Sequence, residues 1–152
     1  MISAMVNVIA GLSGIVASAT FANAVPSPLH TPSVDAGRAI YQHSCASCHG
    51  ARGEGTPVWQ QPDRLGELPA PPHDSRGHTW KHSDAMLYRI VQQGWRDAFN
   101  KTDRLTMPAY KGQLSRTETI AVITYLKTLW TPKQRRFQQE ESRHHPFPAD
   151  PP

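Results

Sequence analysis

The 152-residue sequence has little of what several protein classes require. Two cysteines are too few for a small domain held by many disulfides, and a mean hydropathy of −0.52 excludes several membrane spans. The net charge of +4 is small and its basic residues are interspersed, so no nucleic-acid partner is expected. Neither an internal repeat nor a useful length of alternating strand pattern is present. A single small, mildly basic domain is the class that remains.

The N-terminal segment has a composition of its own. No charged side chain occurs from Ile2 to Ala24, and Ala22-Asn23-Ala24 matches the small-residue cleavage site of a secretory signal. We predict a signal peptide at residues 1–24, which implies export and no stable membrane insertion once it is cleaved. The alternative is an uncleaved membrane anchor, although polar residues dilute its hydrophobicity.

Three amphipathic helices are predicted within a domain at residues 33–131, which follows an extended leader at 25–32. The third has the clearest signals, because a serine and a glutamate three residues later form a capping box before an apolar face. The start and stop signals are Ser33 for the first helix, Ser83 and Gly94 for the second, and Ser115, Glu118 and Thr131-Pro132 for the third.

Two long segments lack any helical or strand pattern. Residues 50–79 are rich in proline and glycine, which excludes a long helix or a central strand. A structureless loop of that length argues for a large group bound in the core. Residues 132–152 are polar, charged and proline-containing, and we predict a disordered tail there.

The motif that carries the chemistry is Cys45-Ala46-Ser47-Cys48-His49, a C-x-x-C-H sequence typical of covalent haem c attachment. Two thiols one helical turn apart can add across the two vinyl groups of one haem edge. The next residue then brings its imidazole under the iron, so His49 is the predicted proximal ligand. This motif uses both cysteines of the chain, which predicts a single haem c.

Three other interpretations of the cysteine pair fit less well. A disulfide oxidoreductase requires a βαβ context that this sequence lacks. A zinc site could combine Cys45 and Cys48 with His73 and His78, but the gap between the pairs is far longer than in ordinary zinc modules. A plain disulfide would close a loop too short to add much stability.

A sixth iron ligand can be sought among the methionines outside the signal, Met86 and Met107. Met86 lies in the second predicted helix, where a packing role is the simpler interpretation. Met107 precedes Pro108, which restricts the backbone there to an extended conformation. We therefore predict that the Met107 thioether binds iron opposite His49.

Histidines offer competing ligands. His43 lies too close to the attachment motif to reach the opposite face of a haem. His73, His78 and His82 fall within ten residues, so they could form a second copper or zinc site, or hydrogen-bond haem propionates and backbone together with Trp80. The sequence leaves this choice open.

These residues together resemble a bacterial class I monohaem cytochrome c. The resemblance implies an all-α, cytochrome c-like fold of three or more helices, with long loops wrapped around one covalent haem. It also implies a close crossing of the first and last helices at Gly37, and a proline carbonyl accepting the proximal imidazole N–H. The matching features run from Asp35 to about Trp130: Gly37, Tyr41, residues 45–50, Met107-Pro108, residues 111–115 and 125–130; the candidate prolines are Pro62, Pro69, Pro71 and Pro72.

The function that the resemblance implies is one-electron transfer in a periplasmic redox chain, without enzymatic activity. Iron held by His49 and Met107 has no open position for a substrate. Alternatives are a haem subunit docked to a dehydrogenase or oxidase, and a haem protein with an open or bis-histidine sixth position. Basic residues in loops, Lys81, Lys101, Arg104 and Lys111, could dock an acidic redox partner transiently, or serve only as solubilising charge.

Overall fold

A computed structural model describes residues 33–149, so the predicted signal peptide at 1–24 and the leader at 25–32 lie outside the described residues. The described chain forms helices joined by loops, and its only β pairings are isolated bridges. The predicted all-α class is therefore confirmed. Within this part of the chain, no helix is both long and apolar enough to cross a membrane. The helices are α1 (Val34–Ser44), α2 (Ala46–His49), a 3-10 turn (Thr79–Lys81), α3 (Asp84–Gln93), α4 (Arg116–Thr128) and α5 (Pro132–His144).

The predicted helix caps are confirmed. The Ser33 hydroxyl accepts the Ala36 N–H at 3.0 Å, and the Ser83 hydroxyl does the same for Met86 at 3.3 Å. The capping box that begins α4 is complete, because Ser115 and Glu118 satisfy each other's backbone N–H groups. Gly94 ends α3 with a φ of 76°, a value that glycine adopts without strain.

The centre of the fold is the crossing of α1 and α4. A Cβ added to Gly37 would overlap the Ala121 carbonyl oxygen and lie 2.5 Å from its carbon, so only glycine allows this approach. The Tyr41 and Tyr125 rings pack beside the crossing, with centroids 5.3 Å apart. This close crossing at Gly37 is what the resemblance implied. The buried apolar cluster around it contains Tyr41, Leu87, Val122, Ile123, Tyr125, Leu126 and Trp130.

The prediction of a disordered tail at residues 132–152 is wrong over most of its length. Thr131 and Gln134 form a capping box, Pro132 occupies the first turn, and α5 follows as far as His144. The Gln138 side chain, only 2 % exposed, donates to Asp84 Oδ1 at 2.7 Å. Composition indicated disorder because α5 has almost no apolar side chains. The helix is instead held by polar contacts that only the tertiary structure creates.

Residues 50–78 contain no helix, and Thr79 is the first residue of the 3-10 turn. The prediction that this segment forms no long helix and no central strand is therefore confirmed. The segment is nevertheless ordered by its own backbone hydrogen bonds. Gly55 N donates to the His49 carbonyl at 2.8 Å, and Thr56 N donates to the Ala70 carbonyl at 3.0 Å. The His73 N–H donates to the Gly53 carbonyl at 2.8 Å. The chain therefore supplies part of the order that we attributed to a bound group.

Candidate haem-attachment site

The two cysteines of the C-x-x-C-H motif lie at the junction of α1 and α2. Cys45 ends α1 and begins α2, and the His49 N–H donates to the Cys45 carbonyl at 3.0 Å, which closes one helical turn. Both cysteines are free thiols; Cys45 is half-buried and Cys48 is exposed. Burial, followed by the neighbouring Cys48, raises the pKa of Cys45 to about 11. That thiol is therefore protonated at pH 7 in the absence of a bound group.

His49 is buried, with 7 % of its surface exposed. Its Nδ1 lies 2.9 Å from the Pro71 carbonyl oxygen, and a carbonyl can only accept, so Nδ1 carries the proton. The structure thus selects Pro71 among the four candidate prolines. This tautomer leaves the Nε2 lone pair available to a metal. Burial lowers the pKa of His49 and the Pro71 bond opposes that shift, so the ring is neutral at pH 7.

His73 packs against the proximal side of this arrangement. Its ring stacks on the His49 ring, with centroids 4.0 Å apart and planes inclined by 29°. Burial, then the His49 and His78 rings, hold the pKa of His73 well below its usual value, so it is uncharged. Two imidazoles stacked face to face cannot bind one iron from opposite sides. His73 is therefore a packing partner of His49, a role that sequence reasoning missed because nothing in the residue pattern indicates it.

Met107 is half-buried and lies at the end of a loop that closes on itself. The backbones of Trp95 and Met107 exchange two hydrogen bonds, of 2.9 and 3.0 Å. Three residues later, the Tyr110 hydroxyl donates to the Ser44 carbonyl at 2.6 Å, directly before Cys45. The loop that carries Met107 is thus tied to the helix that carries the attachment motif. Met86 lies within α3, the helical position predicted for it.

The loop at residues 95–107 rests on the segment 63–68. Glu67, 8 % exposed, forms an ion pair with Arg104 and accepts from the Asn100 side chain at 3.3 Å. Asp97, 7 % exposed, accepts the Leu68 N–H at 2.7 Å. The chain from residue 63 to Pro71 therefore both supports the loop that carries Met107 and supplies the carbonyl that binds His49 Nδ1. Sequence reasoning missed Glu67, because only the folded chain brings it to Arg104.

The histidine-rich loop does not assemble the second metal site that the sequence left as one of two possibilities. His78 stacks on Trp59 at 5.3 Å and meets the edge of His82 at 5.2 Å, whereas His73 faces His49. Over residues 33–149, no group of three or more metal-ligating side chains is assembled. The Trp80 indole N–H donates to the Gly77 carbonyl at 3.0 Å, which agrees with the backbone role considered for it.

The four basic residues considered for docking have different surroundings. Arg104 pairs with Glu67, and the Lys101 ammonium donates to the Arg64 carbonyl at 3.1 Å. Lys111 is exposed in a turn, and Lys81 lies in the 3-10 turn beside the Trp80 ring. They do not belong to one loop, and the charge of Arg104 is partly neutralised.

The side chains of the motif fit a covalently attached haem. Cys45 and Cys48 are protonatable thiols without a disulfide, spaced by one helical turn, and one of them is exposed to an incoming group. His49 directly follows them, is buried, and is oriented by Pro71 so that its second nitrogen can bind iron. Two thiols and one neutral imidazole are the donors that haem c attachment requires.

The family model described as Cytochrome c matches residues 34–130, which include α1 to α4 and every site residue described above. The helix α5 lies beyond the matched residues. No curated protein matches the chain.

Proposed function

Because the chain belongs to the cytochrome c family, we propose that it is a bacterial class I monohaem electron carrier. Cys45 and Cys48 hold one haem c through thioether bonds, and His49 and Met107 are its axial ligands. The observation that carries this proposal is the buried His49, whose Nδ1–H is bound by Pro71 and which directly follows two free thiols.

Haem c, when bound, supplies an iron that alternates between the ferric and ferrous states. The chain's own residues determine the surroundings of that iron. Pro71 holds the proton on His49 Nδ1 and makes the imidazole a stronger ligand, while the His73 ring covers one face of His49. Met107 is placed by the Trp95 pairing and by the Glu67 support. Methionine in the sixth position raises the reduction potential relative to a second histidine.

With His49 and Met107 both bound to the iron, no coordination position would remain for a substrate, so we propose electron transfer without enzymatic activity. The bis-histidine alternative is disfavoured for His73, because its ring stacks on His49 itself. We also propose that the signal at residues 1–24 exports the protein to the periplasm, and that the protein docks transiently to an acidic redox protein. A haem subunit docked to a dehydrogenase or oxidase remains the second candidate, favoured by the ordered helix α5 outside the family-matched residues.

Covalent attachment is tested by acid–acetone extraction of the denatured protein followed by mass spectrometry. We expect the pigment to stay with the protein and the mass to increase by that of one haem. Cys45→Ser and Cys48→Ser together should remove this added mass. Release of the pigment from the wild-type chain, or a wild-type chain without added mass, would contradict the proposal.

Methionine ligation is tested by the ferric absorption spectrum. We expect a weak far-red band that Met107→Ala abolishes while the haem stays attached. Met86→Ala is the matched control, because it removes the other methionine of the described chain and should keep the band. A band that survives Met107→Ala would show that another residue is the sixth ligand.

A further inference from the structure

A concave surface lies between the 3-10 turn and α5, and we call it the α5 groove. It has a volume of ≈ 450 Å³ and contains the Trp80 and Phe137 rings, which meet edge to face with centroids 5.4 Å apart. Phe137 remains 46 % exposed, which leaves an apolar surface open to solvent. The groove is lined by Trp80, Lys81, Thr131, Lys133, Gln134 and Phe137.

The charged residues that line the α5 groove, Lys81 and Lys133, are both basic. The two stretches that form it, residues 75–82 and 129–139, contain five lysines or arginines and no acidic residue. Arg76 pairs with Asp74, and Arg135 donates to the Trp130 carbonyl. Over residues 33–149, the structure gives no carboxylate partner to Lys81, Lys133 or Arg136. Their charges are available to an anionic partner.

The α5 groove is already formed in the chain without a bound partner, because hydrogen bonds within the chain hold α5 in place. Gln134 Nε2 donates to the Ser75 carbonyl at 2.9 Å, and Gln138 donates to Asp84 at 2.7 Å. The Asp84 N–H in turn donates to the Ser142 hydroxyl at 3.0 Å. A preformed site binds with less loss of conformational entropy than one that must be ordered.

The α5 groove is also close to the proximal ligand through the chain. Thr131 lines the groove, and the adjacent Trp130 is only 3 % exposed. Its indole N–H donates to the His73 carbonyl at 2.8 Å, and the His73 ring stacks on His49. A partner in the groove would therefore be separated from His49 by the side chains of Trp130 and His73.

We propose that the α5 groove docks an acidic segment of a redox partner protein, with one bulky apolar side chain inserted against Trp80 and Phe137. The redox character of the partner rests on the function proposed above; the acidic, apolar-anchored segment rests on the groove alone. A concave surface suits an inserted side chain, whereas a flat anionic bilayer would meet Glu140 and Glu141 on the same helix. Apolar anchors within a charged rim are a common basis of specific binding.

The probe is a synthetic nonapeptide of aspartate and glutamate with one central phenylalanine, titrated into the isotope-labelled full-length haem protein. We expect amide shifts at residues 78–82 and 131–137 and at the Trp80 indole. Replacing the central phenylalanine by alanine should weaken binding about tenfold, because a buried anchor is worth roughly 1.4 kcal/mol. Binding should also weaken as salt is added.

Matched variants separate the α5 groove from the other basic surface. Lys133→Gln with Arg136→Gln should lower the affinity about fivefold, the range expected for two exposed charges. Lys101→Gln with Lys111→Gln removes the same charge elsewhere and should leave the affinity unchanged. Phe137→Ala tests the anchor separately from the charges and should also weaken binding.

Three results would overturn the proposal: shifts centred on residues 101–111, equal binding of the phenylalanine and alanine peptides, or tighter binding to phosphatidylglycerol vesicles through α5 than to the peptide. The last result would assign the surface to a membrane. A protein that proves to carry no haem would refute the proposed function. The peptide titration would still show whether the α5 groove binds an acidic segment with an apolar anchor.

Discussion

Removal of the Glu67 carboxylate should release the Met107 loop while the helical core stays folded. Glu67→Ala deletes acceptors for Asn100 at 3.3 Å and Thr102 at 3.4 Å; because both hydrogen bonds are long, each is worth roughly 0.75 kcal/mol. It also deletes the ion pair with Arg104, whose side chain is 69 % exposed, so solvent screening limits that contribution to about 0.5 kcal/mol. Local opening should therefore become easier by about 2 kcal/mol, or roughly 30-fold.

Native-state hydrogen exchange measures this opening directly. The backbone N–H groups of Trp95, Lys101 and Met107 are hydrogen-bonded within the loop or to the segment beneath it. Their exchange should become about 30-fold faster in Glu67→Ala, while the amides of Val122 and Ile123 in α4 change far less.

Glu67→Gln is the matched control, because it keeps an acceptor oxygen and loses only the charge. Its exchange should be faster than wild type by roughly fivefold or less. Equal acceleration of loop and α4 amides would mean that Glu67 stabilises the whole fold. Unchanged loop amides in Glu67→Ala would refute the support that we assign to this residue. If Met107 binds iron, the far-red band should be weaker in Glu67→Gln than in the wild type, and weakest in Glu67→Ala.

Three further changes test the packing. Gly37→Ala places a Cβ against the α4 backbone and should destabilise the protein by about 3 kcal/mol in thermal unfolding, whereas an unchanged midpoint would contradict the close crossing. Gln138→Ala leaves the His82 carbonyl without this donor and Asp84 with Lys127 as its remaining side-chain partner, and should cost about 1–2 kcal/mol; rapid proteolysis within residues 132–149 should accompany it, and full resistance would argue against a docked α5. Burial lowers the pKa of His78 and His82, with Lys81 adding to it, so the unfolded chain binds more protons and stability should fall as pH decreases below about 6.5. His78→Gln with His82→Gln should flatten that decrease in denaturant titrations between about pH 7 and 5; an unaltered slope would exclude these two rings as its source.

The sequence predicted the parts of this protein that depend on neighbouring residues. A capping box spans three residues, and the attachment motif spans one helical turn, so Ser115, Glu118, Cys45 and Cys48 reveal their local arrangement without a fold. The Thr131 and Gln134 capping box was equally local. The polar composition of the residues that follow nevertheless indicates disorder, and the two local signals conflict.

Other features depend on residues that are distant in sequence, and these only the tertiary structure decided. Four prolines could have accepted the His49 N–H, and the path of the chain brings Pro71 to it. The stacking of His73 on His49 and the support of the Met107 loop by Glu67 likewise join segments that no periodicity relates. Helix α5 is held by buried polar contacts, whose donors and acceptors meet only after α3 is in place. Short-range signals specify hydrogen bonds along the chain, whereas contacts between segments depend on the packing of the whole molecule.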